Sequence, residues 1–446
     1  MTLEVIGIGG YDEVGKNMTA VKYNDEIVIL DCGFYLPSLV EFQEGGGNKK
    51  YLTPKGLQKI GAIPDDSIIE AMKEKVKAIV VSHCHLDHVG AAPYIGEKYD
   101  APIIGTPYTM EVMRTLARDD DVKIKNKVLP IKTGKTIKVS DNIKIELIAM
   151  THSTIDAASI AVHTPEGIVL YTNDFKFDNN PVLGKKPDLK RLEQLGNSGD
   201  VKVLIIDSLY SSKSMKTPSE KVAREMLKDV MFGADNKGHA IFITCFASHM
   251  ARLSSMIEFG KKLNREIIFM GRSLSKYSKA AEKVGLVNFS KDVNVLTYSR
   301  QVKSMLKKIE KNRDKYLVVC TGGQAEPNAI LTRIGDGKLP FKFMHDDHII
   351  FSSKTIPVEP NIENRAVLEK QLASKGVRIF KDIHVSGHGS IEDMRDMIDL
   401  VKPEIIIPGH GDKKITHHIE KLTDLLGYKP GKNLIYLNNG KRLTLK

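Results

Sequence analysis

The sequence predicts an α/β protein in which a second α/β unit interrupts the first, and three observations predict it. Apolar stretches end repeatedly on a histidine or aspartate: KAIVVS on His83, KIELIAM before His152, EGIVLYTN on Asp174, VKVLII on Asp207 and EIIIPG on His410. Layered α/β folds place their sites at strand C-terminal ends in this way. Residues 215–356 then alternate helix-like stretches (SEKVAREMLKDVMF, SHMARLSSMIEFGKKL) with short strands (HAIFITCF, EIIFMG, KYLVVCTGG, HIIFSS), a doubly wound pattern with its own apolar core material. The early histidine run and the late PGHGD flank this segment, so one domain is read as inserted into another.

The elements follow in order. VIGIGG, MTAVKY and EIVILDCG give strand, turn, strand, strand. Residues 36–66 carry prolines, a GGG run and Lys-Lys, and read as a long loop, functional or mobile. KAIVVS is a buried strand, residues 89–118 are helical around the short strand APIIGTP, and strands at KIELIAM, EGIVLY and VKVLII precede the inserted segment. Beyond it come GVRIFKDIHVSGHGS, a helix from 391, EIIIPGHGD, a helix from 414 and two closing strands, NLIYLNN and KRLTLK. No tandem repeat or low-complexity tract appears.

The 446 residues, 41% hydrophobic and 27% charged, exclude a disordered or collagen-like chain and suit two or three domains. No run of 18 apolar residues could cross a membrane, and the N-terminus has no secretory pattern. Cys32, Cys84, Cys245 and Cys320 lie far apart without a CxxC pair, which suits reduced thiols in a cytoplasmic protein. The net charge is +11, and residues 208–356 hold 26 Lys/Arg against 14 Asp/Glu, so the whole excess sits in the middle segment. A basic segment attracts polyanions, although a solvated lysine-rich surface is an equal reading of charge alone.

Ser82-His83-Cys84-His85-Leu86-Asp87-His88 carries the chemistry. Alternate residues of an extended segment point the same way, so His83 and His85 can grip one ion, while Asp87 and His88 begin the next turn and can face a second. Nitrogen and oxygen donors of this kind suit divalent metals, zinc by default. His152, Asp174 and His410 supply the missing ligands, with Asp174 the natural bridge, and Asp31 is read as a carboxylate that orients a ligand histidine.

HCHLDH with Asp31, His152, Asp174 and the late GHG resembles the metallo-β-lactamase superfamily. Asp207 in IDSLYS, His388 in HVSGHGS and His410 in PGHGD resemble the further motifs of its β-CASP branch, whose members process nucleic acids. GGYDEVGKNM, TCFASHMAR, MGRSL, CTGGQAEPNA and FSSKTIPVEPN are similar to the ribonuclease J family over nearly the whole chain. Bacterial members carry an additional C-terminal domain, whereas this chain stops after the final strands, and its 36–66 segment is long; both fit the archaeal type. The resemblance implies a metallo-β-lactamase αββα sandwich (residues 1–207 and 357–446) with an inserted β-CASP doubly wound α/β domain (208–356).

It also implies a 5′→3′ exoribonuclease acting through a two-metal-activated hydroxide, with Zn2+ as the expected ion pair and Mn2+ or Mg2+ as alternatives. His83, His85 and His152 would hold one ion, Asp87, His88 and His410 the other, with Asp174 between. His388 would be the general acid, Asp207 would orient it and raise its pKa, and Asp87 counts among the catalytic group. Ser248, His384 and Ser386 would hold the 5′ phosphate of single-stranded RNA, although Ser248 and Ser390 can equally be helix caps. A homodimer without membrane contact is expected. A β-CASP endoribonuclease of the cleavage-factor type is the alternative; a non-catalytic RNA-binding scaffold or a small-molecule hydrolase ranks lower. Arg252 and Arg272 could reach RNA or pair with carboxylates, Phe34 and Tyr35 could stack on a base or pack, and His345 and His348 read as turn or surface residues rather than ligands.

Overall fold

A computed structural model of the chain describes residues 1–49, 52–356 and 359–445. Two compact units emerge, one from residues 1–179, 185–217 and 386–446, the other from 180–184 and 218–385. Sequence reading set the ends of the insert at 208 and 356, whereas the compact unit runs from 218 to 385, so both ends shift. The second boundary moves because the helix Glu359–Ala373 and the strand Arg378–Phe380 belong with the inserted sheet, the strand pairing in parallel with His348–Phe351.

The first unit is built from two sheets. One has seven strands in the order Lys441–Leu445, Leu3–Gly9, Met18–Tyr23, Glu26–Leu30, Val76–Val81, Ile103–Gly105 and Val128–Pro130. The other has six: Ile405–Gly409, Val201–Asp207, Gly167–Tyr171, Ala158–Thr164, Lys144–Ala149 and Lys135–Lys138. Strand periodicity sorts side chains into layers. Leu3, Val5, Val28 and Val80 from the first sheet meet Ile145, Val162, Val203 and Ile407 from the second in one core. Ile6, Ile29 and Ile79 point the other way, onto Leu57, Ala92, Ile95 and Met113 of covering helices. Leu170, Leu204 and Ile406 do likewise against Leu192, Leu195, Met394 and Met397 from the helices Leu189–Ser198 and Ile391–Val401. The order helix, sheet, sheet, helix is the αββα sandwich.

Residues 36–66 are not a plain loop. The helices Leu36–Glu44 and Pro54–Lys59 lie within them, and Leu39, Leu57, Ala62 and Ile63 are buried on the outer face of the first sheet. Pro37 and Pro54 stand at helix starts, where the missing N–H costs nothing; the prolines mark beginnings rather than breaks. Lys50 and Tyr51 lie outside the described residues, as do Pro357 and Val358 of FSSKTIPVEPN. At the other end, KRLTLK forms a strand but NLIYLNN does not: Leu434 makes single bridges to Ile406 and Pro430.

The second unit has one six-stranded sheet, Val293–Leu296, Glu266–Met270, Tyr316–Cys320, Ile241–Thr244, His348–Phe351 and Arg378–Phe380, parallel at every pairing. That is the doubly wound arrangement. Its hub is Arg252, which is fully buried. The guanidinium donates to Glu220 Oε1 and Oε2 at 2.6 and 2.9 Å and to Ser352 O, Ser352 Oγ and Ile383 O at 3.0, 2.7 and 2.9 Å. Arg252 therefore pairs with a carboxylate and does not present itself to RNA, while Arg272 is exposed. Among the described residues no helix is long and apolar enough to cross a membrane.

Candidate metal centre and active site

The site lies at the C-terminal ends of the strands of the first unit. Asp31 follows Glu26–Leu30 and His83 follows Val76–Val81, parallel neighbours, so the two residues emerge side by side. Asp174, Asp207 and His410 come from the adjacent parallel strands Gly167–Tyr171, Val201–Asp207 and Ile405–Gly409. The chain turns sharply at these ends: Asp31, Asn173 and His410 adopt left-handed backbone, with φ of 59°, 64° and 60°. Asn, Asp and His tolerate that region better than other side chains. Gly33 has no room for a side chain, since a Cβ would lie 1.6 Å from the main-chain oxygen of Asp87. The loop after Asp31 can therefore lie flat on the HLDH segment, with Cys32 N–H donating to His88 O at 2.7 Å.

Ligand-type atoms converge in two larger overlapping sets and a third, smaller one of Asp174, Asp207 and His388. His83, His85, His152 and Asp174 form one of the larger sets, and Asp87, His88, Asp174 and His410 the other, with the donor atoms of each set within 4.8 Å of one another. Asp174 Oδ2 stands 3.7 Å from Nε2 of both His83 and His152 and 3.2 Å from His88 Nε2, and Asp174 Oδ1 is 3.8 Å from His410 Nδ1. Hydrogen bonds on the far side of the rings fix which nitrogen faces inward. His152 Nδ1 donates to Gly387 O at 2.8 Å, so its Nε2 is bare; Gly387 is required because a Cβ would lie 2.9 Å from the His152 ring. Asp31 accepts from His88 Nδ1 at 2.8 Å, from Ser82 N and Oγ at 2.7 and 2.8 Å, and from Tyr171 Oη at 2.9 Å.

The fit to cations can be tested on these atoms. His83 is fully buried, yet its Nε2 has no hydrogen-bond partner. An unpaired buried nitrogen is costly unless something else satisfies it. Burial and neighbouring imidazoles push His83 and His152 well below the usual histidine range, and burial holds His85 at about 4, so these rings are neutral. Neutral imidazoles and a carboxylate are what a divalent metal needs. The cluster is able to bind metal ions.

His388 stands beside both sets. Its Nδ1 is 2.8 Å from Asp207 Oδ2 and its Nε2 is 3.8 Å from Asp174 Oδ2. Burial alone would lower it, but the Asp207 and Asp174 charges outweigh that and raise it to about 9. The turn that carries it is built locally: Ser386 Oγ accepts from His388 N–H at 2.9 Å, and Thr217 Oγ1 donates to His388 O at 3.0 Å. Asp393, fully buried, accepts from the N–H groups of Phe177, Thr217 and Ser390 at 3.1, 2.9 and 3.2 Å. It thereby ties the segments after Asp174 and His388 together.

The remaining expected residues fall as follows. Ser386 belongs to the first unit, and Ser248 and His384 to the second. The helix Met250–Lys262 is preceded by His249 and not capped by Ser248, whereas Ser390 does start the helix Ile391–Val401. Phe34 is buried, edge-on to Tyr94 at 5.5 Å, and packs rather than facing a base. Tyr35 is half-buried beneath Lys16 Nζ at 5.6 Å. His345 pairs with Asp346 at 2.9 Å on the surface; His348 is buried inside its strand against Phe380, so only the first is a surface residue. The four cysteines are buried and free. Asn17, Tyr171 and Asp393 escaped sequence reading; each touches the site through partners distant along the chain, and Asn17 within DEVGKN gave the one local hint.

Comparison with known proteins agrees along the whole chain. Residues 11–230 match the model for the metallo-β-lactamase superfamily, 238–369 that for the ribonuclease J β-CASP domain, and 377–430 that for the Zn-dependent metallo-hydrolase RNA specificity domain. The Ribonuclease J of Methanocaldococcus jannaschii is 40% identical over 100% of this chain and 99% of its own length. That of Pyrococcus abyssi is 42% identical over 98% and 96%. The Thermus thermophilus Ribonuclease J, at 30%, is covered over 74% of its length. A crystal structure of a protein of unknown function from Enterococcus faecalis shares the fold, with a TM-score of 0.66, 15% identity and full coverage of both chains. Matched end to end by two archaeal relatives, with three family models in succession along it, the chain belongs to the ribonuclease J family.

Proposed function

We propose that the chain hydrolyses RNA phosphodiesters at the Asp174 cluster, chiefly 5′→3′ from 5′-monophosphate ends. It is a metal-dependent ribonuclease. The observation that carries the reading is the pair of ligand sets sharing Asp174 with His388 alongside. In this reading His83, His85 and His152 hold one ion, Asp87, His88 and His410 the other, and Asp174 both; zinc is favoured by the histidine-rich donor set. Bound there, divalent ions supply a nucleophile at neutral pH and Lewis acidity toward the phosphate.

The chain's own groups do the rest. Water adds to phosphorus, the bond from phosphorus to the 3′ oxygen breaks, and the leaving oxygen takes a proton from His388 Nε2. Asp207, on Nδ1, keeps the ring turned and charged. The products are a 5′-mononucleotide and an RNA one residue shorter that again bears a 5′ monophosphate. Ser386, two residues from His388, is assigned to that terminal phosphate, its hydroxyl suiting an anion. The basic stretch 208–356 supplies electrostatic attraction for the strand. A homodimer and a cytoplasmic setting, with four free buried thiols, complete the reading.

Two RNAs of one sequence, linear with a 5′ monophosphate and circular, test it. Mononucleotides from the first turnovers of the linear RNA, with the circle left intact, are expected. Cutting of the circle at a comparable rate would turn the reading to an endonuclease.

A further inference from the structure

Asp393 sits fully buried on the first turn of the helix Ile391–Val401, and what it holds is main chain from three segments. Its Oδ2 accepts from Thr217 N–H at 2.9 Å and Ser390 N–H at 3.2 Å, and its Oδ1 accepts from Phe177 N–H at 3.1 Å. Ser390 Oγ accepts from the Asp393 N–H in return, which completes a capping box. Lys216 Nζ stands 3.5 Å from Oδ1 and pairs with Asp396 as well.

Two of the three N–H groups border the turn that carries His388. The segment ending at Thr217 runs beside that turn: Tyr210 bridges to Ser390, and Lys213 O accepts from Ile391 N–H at 3.2 Å. The Thr217 hydroxyl donates to His388 O at 3.0 Å, so it accepts from Ser390 N–H at 2.8 Å and from the Ser390 hydroxyl at 2.9 Å. Gly389 fits because it has no side chain; a Cβ there would lie 2.8 Å from Asp393 Cβ and 3.0 Å from Phe175 O. The third segment, after Asp174, has its own tie to Thr151. Thr151 O accepts from Lys176 N–H at 2.9 Å, and the Thr151 hydroxyl donates to Lys176 O at 2.5 Å and accepts from Asp178 N–H at 3.1 Å. Loss of the Asp393 carboxylate therefore leaves Asp174 anchored and chiefly loosens the His388 turn.

We infer that Asp393 is a positioning residue for the proton donor: through Thr217 and Ser390 it sets where His388 Nε2 stands, and so it acts on the breaking of the bond to the 3′ oxygen rather than on RNA or ion binding. This rests on the reading of His388 as the general acid. A displacement of about 1 Å at a reacting group costs on the order of 10²-fold in rate.

Single-turnover cleavage by the full metal-loaded chain tests it, on a 5′-monophosphorylated RNA with the natural oxygen ester and on the same RNA with sulfur in place of the scissile 3′ oxygen. A thiolate departs without taking a proton, so the sulfur ester has no need of the acid. Asp393→Ala should slow the oxygen ester about 10²-fold, with the half-saturating RNA concentration and the ion content unchanged, and should cleave the sulfur ester near the wild-type rate. Asp393→Asn keeps an acceptor for Thr217 and Ser390 and should lose less. Thr217→Val keeps the shape, removes the hydroxyl, moves the same way as Asp393→Ala and serves if that variant melts early. Asp393→Ala or Thr217→Val at the wild-type rate, slowed equally on both esters, or short of an ion would overturn the inference. His388→Ala at the wild-type rate on the oxygen ester would remove the general acid itself, and the inference with it; His388→Ala slow on oxygen but not on sulfur keeps the acid whatever the Asp393 variants do.

Discussion

Removing the charge of Asp207 tests the assignment of the proton donor most sharply. Asp207→Asn keeps an oxygen within reach of His388 Nδ1, now 2.8 Å from the carboxylate, so the ring stays turned toward Asp174. What goes is a unit charge at that distance. At an effective dielectric near 20 such a pair interacts by roughly 6 kcal/mol, an upper bound on what holds the imidazolium. A general acid contributes about 10²–10⁴ in rate, roughly 3 to 5 kcal/mol of barrier. His388→Ala should lose that whole factor in single-turnover cleavage of a 5′-monophosphorylated RNA. Asp207→Asn should lose a large part of it, and the double variant should be no slower than His388→Ala, since Asp207 acts through the ring. Ion content, measured alongside by mass spectrometry, should stay at the wild-type level in all three. Multiplying losses in the double variant would refute the relay from Asp207 to His388. An ion lost on Asp207→Asn would make that residue a ligand instead, a role its place near Asp174 and His388 also allows.

Other outcomes follow from the same structure. Glu220→Gln leaves the guanidinium of fully buried Arg252 without its carboxylate and should cost about 3–5 kcal/mol, read as an earlier unfolding midpoint of the inserted unit; an unchanged midpoint contradicts the hub. Burial alone would raise Glu146, but hydrogen bonds from His163 and Arg191 hold it at about 2. Its folded pKa lies below the unfolded value, so the stability it adds is complete above about pH 4.5 and is lost as pH falls toward 2; the gap in urea midpoint between wild type and Glu146→Gln should close over that window. RNA affinity should drop steeply and log-linearly with salt, because the excess positive charge lies in 208–356; a flat salt profile excludes that segment from binding.

What the sequence disclosed is what is local. Strand periodicity and the polar residue at each strand end pointed to His83, Asp174, Asp207 and His410, because parallel neighbours within these mixed sheets end on one edge; His152 follows Lys144–Ala149, whose pairings are antiparallel. His388 gained its role only through family resemblance; its partner lies 181 residues away. Asn17 stands 393 positions from His410, and Asp393 reaches Phe177 across 216, so no spacing rule exposes them. The helices within 36–66 were hidden because proline and glycine read as breakers, although proline at a helix start does not break it. NLIYLNN has a strand's composition but meets the strand Ile405–Gly409 through a single bridge, Leu434 with Ile406, and pairing is decided by tertiary neighbours.

Anomalous diffraction from crystals of the metal-loaded chain tests the central claim directly. Two peaks are predicted, one within reach of His83, His85 and His152 and one within reach of Asp87, His88 and His410, both touching Asp174. A single peak, or density at neither group, would contradict the account.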